Sequence, residues 1–245
     1  MKNTYYIAQR ELYAYFASPI AYVIMGTFLL FSGLVFHLFL TSGAADANFT
    51  MRNWFGYQNF VTGLLVLLFG SVLTTRLIAE ELRTGTLELL FTSPVRNWQV
   101  ILGKFAATVV LYIVLLLLTF YYVLLLMLLG GQFDWGPILS GYLGLLLLGC
   151  TFFAVGMFAS ALSESQVIGA VIAIILSFVI YIAGPLLVQQ QTGAVADAIN
   201  NVSLLGHIDN LASGVLDLRD IVYYISITAF FLFVATRLVA MRRAV

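Results

Sequence analysis

Between Phe105 and Ser163 a single aspartate, Asp134, separates two runs of 29 residues that contain no Asp, Glu, Lys or Arg. A water-soluble domain needs charge on every exposed helix, so runs of this length do not suit one. Transmembrane β-barrels read as short segments of alternating polarity, and these runs are continuous and Leu-rich. The rest of the chain agrees, because 62% of its 245 residues are hydrophobic and only 9% are charged. Residues 1–245 therefore read as a single all-α polytopic membrane domain with small water-facing parts.

A membrane-crossing helix needs about 20 apolar residues. Six stretches qualify: 20–40, 57–75, 105–129, 138–162, 167–188 and 221–240. Pro19 and Pro137 fall where spans open, and Gly184-Pro185 is expected to loosen the end of the fifth. Lys and Arg are retained on the cytoplasmic side. With the N-terminus inside, that side holds Lys2, Arg10, Arg76, Arg83, Arg96, Lys104, Arg237, Arg242 and Arg243, and the outside holds only Arg52 and Arg219. Both termini are thus expected in the cytoplasm. Ala45-Asp46-Ala47 resembles a leader cleavage site, but the apolar run before it is too long for a signal peptide, so cleavage is not expected.

Three water-facing pieces remain. Residues 2–17 place Tyr5, Ala8, Leu12 and Phe16 on one side of a helix, which suits a helix lying along the inner interface. Residues 76–104 hold seven formal charges. The second span is expected to continue through Glu80, Glu81 and Arg83 and to stop at Gly85. Thr86 then caps a short helix, Glu88 lies in its first turn, and Pro94 ends it. That helix presents Leu87, Leu89, Leu90 and Phe91, an apolar face that needs a partner or the bilayer to cover it.

The third piece, residues 189–220, carries Leu204, Ile208, Leu211, Ala212 and Val215 at helical spacing. Ser203 is its expected cap and Gly214 its stop. This is an amphipathic or re-entrant helix at the outer face. Asp217 is expected to cap the last span, with Asp220 in its first turn. No second histidine or carboxylate is placed to complete a site with His207, which reads as a hydrogen-bonding surface residue. The turn 163–166 adds Glu164 and Gln166 on the cytoplasmic side.

The string E-E-x-R-T-G-T-L-E-L-L-x-T-S-P-V from Glu80, followed by Lys104 before the next span, resembles the cytoplasmic loop of ABC-2 type ABC-exporter permeases. The six-span layout and the N-terminal interfacial helix are similar to that class. The pattern Ser203, His207, Gly214, Asp217, Tyr223 resembles its outer helices. Among subfamilies the chain is most similar to the permease of the gliding-motility-associated transporter.

The resemblance implies a coupling helix that docks on separate ATPase subunits, two per transporter. The matching positions are Glu80, Glu81, Arg83, Gly85, Thr86, Glu88 and Pro94, with Glu81 and Arg83 as polar contacts to the ATPase or to a neighbouring permease. It further implies ATP and Mg bound by the partner, a second permease copy or paralogue, contact with membrane lipid, an extracytoplasmic accessory protein, and residence in a bacterial inner membrane. Glu164 and Gln166 are a second candidate contact with the ATPase.

Several motifs are missing from the full sequence. There is no G-x-x-x-x-G-K-[ST] for nucleotide phosphates and no H-E-x-x-H. Metal ligation and catalysis by this chain are not expected, and neither is any cofactor of its own. A net charge of zero leaves no basic footprint for nucleic acid. No acid or base falls in the middle of a span, which disfavours an ion-coupled transporter. A structural or assembly subunit of another membrane complex remains the alternative to a permease.

Overall fold

The computed structural model describes residues 2–42, 47–55, 60–84, 96–132, 134–188 and 203–242. Among them are ten helices and no strand. These are α1 (Lys2–Ala17), α2 (Pro19–Ser42), α3 (Ala47–Phe55), α4 (Phe60–Thr84), α5 (Asn97–Thr119), α6 (Tyr121–Leu128), α7 (Trp135–Leu162), α8 (Gln166–Val188), α9 (Leu204–Ala212) and α10 (Leu218–Arg242).

Five helical stretches are long and apolar enough to cross a membrane: Ala21–Thr41, Phe60–Arg83, Asn97–Leu128, Trp135–Leu162 and Leu218–Met241. The expected fifth span is helical as α8, within which Gln166–Ile182 is the apolar stretch among the described residues. Gly184-Pro185 does not end α8, which stays helical to Val188. The third expected span is divided at Phe120, where the N–H groups of Val123 and Leu124 both find the Phe120 carbonyl, at 3.1 and 3.2 Å.

The core is built around α7, whose buried face is rich in small residues. Gly141 meets the ring of Phe55, Gly144 meets Leu211 and Gly149 meets Tyr112, so α3, α9 and α5 all approach its backbone closely. Gly156 lies against Thr74 of α4, and Ser160 follows one turn later. The small-residue pairs of this helix therefore serve packing within the chain. Carbonyls across the same contacts accept from some of the buried hydroxyls, as when Tyr112 donates to Leu145 at 3.0 Å.

Helix α3 was not anticipated. Its Ala47, Met51, Trp54 and Phe55 recur at i, i+4, i+7 and i+8, and all four are buried. Trp54 packs edge-on against Tyr122 and Phe55, so the connection between the first two spans is part of the core.

Candidate coupling site and the outer cluster

Helix α4 extends as one helix from its apolar stretch through Glu80, Glu81 and Arg83 to Thr84. The expected stop at Gly85 and the short helix with Thr86, Leu87, Glu88, Leu89, Leu90 and Pro94 lie outside the described residues. The two stems of that segment are described, and they are joined. Arg96 precedes α5, where its N–H donates to the Gln99 side chain at 3.1 Å. Two turns further on, Lys104 turns back toward α4.

Lys104 is 2% exposed, and its ammonium donates to Glu81 at 2.8 Å and to Glu11 at 3.0 Å. Arg10 donates to Glu11 at 3.0 Å and stands 3.6 Å from Glu81. Two carboxylates thus face two cations, and three helices converge on one ammonium. A lysine buried this deeply keeps its charge only when its donors are met by acceptors of opposite charge. Burial by itself pushes the Glu11 carboxyl up. The Lys104 charge and the hydrogen bonds from Arg10 and Lys104 outweigh that and hold it below the ordinary glutamate value.

Close approach of α1 makes the cluster possible. A Cβ on Gly103 would stand 2.8 Å from Ile7 Cγ2 and 3.0 Å from the Thr4 carbonyl oxygen, so a side chain there would lift α1 away. Above the cluster, the Ser160 hydroxyl accepts from the N–H groups of Ile78 and Ala79 at 3.2 and 2.9 Å and donates to the Thr75 carbonyl at 2.8 Å. One side chain of α7 thereby grips the backbone of α4 where its apolar stretch gives way to the charged extension.

The other candidates fall nearby. Arg76 donates to Glu80 at 2.8 Å on the exposed side of α4, and Arg83 is exposed. Glu164 lies in the turn before α8, whose first residue is Gln166, and the Ser165 hydroxyl accepts from Ile168 N–H at 3.5 Å. A cleft of about 280 Å³ lined by Glu11, Tyr15, Arg76, Glu80, Glu81 and Lys104 opens beside the ion cluster.

At the far ends of the helices, α9 forms as expected. The Ser203 hydroxyl accepts from Gly206 N–H at 3.4 Å, Gly214 follows the helix with φ +89°, and Asp217 accepts from Arg219 N–H at 2.9 Å. The reading of His207 as a lone surface residue is corrected. His207 is buried, with Nδ1 2.5 Å from Asp220 Oδ1, and Asn210 donates to the other carboxylate oxygen at 3.2 Å. The turn through Gly214 reverses the chain and returns Asp220 to α9, which the linear spacing of 13 residues did not reveal. His207 also lies against the Tyr223 ring, with centroids 4.2 Å apart. Asp220 remains in the first turn of α10, so it serves the helix dipole and the histidine together.

Sequence reading missed Glu11 altogether and used Lys104 as a topogenic charge and as the lysine after the loop motif, without assigning it a partner. The available signal was the depth of Lys104 within a helix that is otherwise apolar for several turns after it. The family described as ABC-2 family transporter protein matches residues 10–242 of the chain. No curated protein matches it.

Proposed function

This chain belongs to the ABC-2 family of transporter proteins, and from that premise we propose that it is the six-span permease subunit of an ATP-driven transporter. It is a multi-pass membrane protein of helical construction, and its family supplies the membrane component of ABC transporters. In the proposed assembly two ATPase subunits bind ATP and Mg, and a second copy or a paralogue completes the membrane part. Both termini face the cytoplasm of a bacterial inner membrane, by the excess of Lys and Arg on that side. Helix α1 lies along the inner interface.

The observation that carries this reading is the Glu11–Lys104–Glu81 cluster. It ties both stems of the segment 85–95 to α1, so a push delivered there reaches three helices at once. Ser160 extends the connection to α7. Within the segment, Leu87, Leu89 and Leu90 are the apolar face that enters the ATPase, Gly85 and Thr86 shape the turn, Glu88 supports the first turn and Pro94 ends it. Arg83 is exposed and available for a polar contact, whereas Glu81 acts through Lys104 within the chain. Glu80 bears on the ATPase only after parting from Arg76, and Glu164 with Gln166 forms a second contact. The work done is export or mechanical force on a partner. The similarity of the loop to the gliding-motility permease favours that subfamily, and the outer helix α9 is where an accessory protein would bind.

The test is purification of the tagged full-length chain from its native membrane in mild detergent, with ATP hydrolysis measured on what accompanies it. An ATPase is expected with the wild type and is expected to be lost with Leu89→Pro. Correctly inserted protein without an ATPase in several detergents would sink the permease reading and favour a structural or assembly subunit.

A further inference from the structure

Helix α9 is held on two sides by two kinds of contact. Toward α7 the contact is uncharged. A Cβ on Gly144 would stand 3.2 Å from Leu211 and 3.5 Å from Ile208, and the Ser140 hydroxyl donates to the Leu211 carbonyl at 2.6 Å. Toward α10 the contact titrates. Asp220 is buried, with His207 Nδ1 on one carboxylate oxygen and the Asn210 amide on the other. Tyr224 adds a neutral bond, donating to the Leu204 carbonyl at 2.7 Å.

Little other charge reaches this contact. Helices α7 and α8 contain no Asp, Glu, Lys or Arg, and their titratable groups are Tyr142, Cys150 and Tyr181. Helix α3 brings Arg52, which is exposed. Asp134 is turned to the Gly136 N–H and Asp217 to the Arg219 N–H. Asp209 is half-buried on α9 itself, and on α10 Arg219 is exposed while the rings of Tyr223 and Tyr224 flank His207. Among the described residues His207 is the one ion-pair partner of Asp220. Protons can reach it, since its side chain keeps 11% of its surface exposed and Asn210 beside it is exposed.

We propose that His207 and Asp220 form a pH-governed latch between α9 and α10. Burial fixes its direction. With an imidazolium in place the pair is neutral overall and joined by charge. With a neutral imidazole, a carboxylate is left in a nearly sealed site with hydrogen bonds but no counter-charge. Charge-assisted hydrogen bonds are the stronger ones, and an imidazolium also gains from the face of Tyr223, 4.2 Å away. The latch is therefore tight on the acid side of the histidine range and slackens as pH rises through it, while the contact with α7 persists. With the orientation proposed above, the medium that sets it is the one outside the cytoplasm. The latch does not rest on the permease reading, because α9 can be followed in the chain alone.

The experiment is hydrogen exchange on the full-length protein in lipid nanodiscs from about pH 5 to about pH 8, with rates corrected for the intrinsic effect of pH. Protection of Leu204–Ala212 and of the first turn of α10 is expected to fall about fivefold toward the alkaline end, the difference between a charged and a neutral hydrogen bond. Helix α5 is expected to keep its protection throughout. His207→Gln, which keeps a polar side chain and removes the titration, should give a flat profile, and Asp220→Asn should do the same. Wild-type protection of α9 that does not change over this range would overturn the latch, whatever the variants do. A fall that persists in His207→Gln, with insertion checked by protease accessibility, would place the titration on another group and overturn the assignment.

Discussion

The two buried charge clusters lie at opposite ends of the helices and are built from different raw material. The outer one joins His207 and Asn210 to Asp220 over 13 and 10 residues, within a helix, a turn and the next helix. The inner one joins Lys104 to Glu11 and Glu81 over 93 and 23 residues, from α4 and α5 and from α1, which two further helices separate from them. Local turn chemistry can assemble the first. Only the packed bundle can assemble the second, so the inner cluster reports on the whole fold and the outer one mainly on its own loop. If the chain transmits movement as proposed, the long-range cluster is the place where disturbance should spread.

The sharpest way to break this comparison is Lys104→Met, which leaves the Glu11 and Glu81 carboxylates with only the more exposed Arg10 between them. Removing one member of a buried ion cluster costs about 3–5 kcal/mol. Reversible unfolding of the purified protein in mixed micelles should show that loss, and ATPase association should fall with it. Asp220→Ala at the outer end should cost less, about 1.5–3 kcal/mol for the lost charged hydrogen bonds. Its effect should stay local, with hydrogen exchange rising in α9 and at the start of α10 but not in α1. Exchange that rises equally in α1 would show that the two clusters are not separable.

Ser160→Ala asks whether the grip of α7 on α4 belongs with the inner cluster. Loss of its hydroxyl should cost about 1–2 kcal/mol, read by the same unfolding assay. Acid provides a gentler probe. The folded Glu11 carboxyl titrates below its ordinary value, so its stabilising effect is present above about pH 4.3 and is lost as pH falls through the lowered value. Stability measured down that range should decline in the wild type and decline less steeply in Glu11→Gln. The smallest effect is expected from Arg76→Gln, since its pair with Glu80 is solvent-exposed, and the change in stability should stay within about 0.5 kcal/mol.

Legibility in the sequence followed the range over which each feature is encoded. The cap at Ser203, the stop at Gly214 and the cap at Asp217 were all readable, because each is a bond between near neighbours. Helix α3 was readable in principle from Met51, Trp54 and Phe55, yet its nine residues lie between two far stronger apolar signals. His207 was misread because its partner arrives only after the chain reverses at Gly214. The loop motif from Gly85 to Pro94 rests on sequence similarity, and its family matches the chain almost end to end.

Hydrophobicity is a sum over neighbouring residues, so the sequence alone determined that this chain is helical, apolar and built to cross a membrane several times. Charge pairing is a choice among partners, and for a buried ammonium the choice is made by whichever carboxylates the packed helices deliver. Which glutamates would hold Lys104 was decided only when α1, α4 and α5 met.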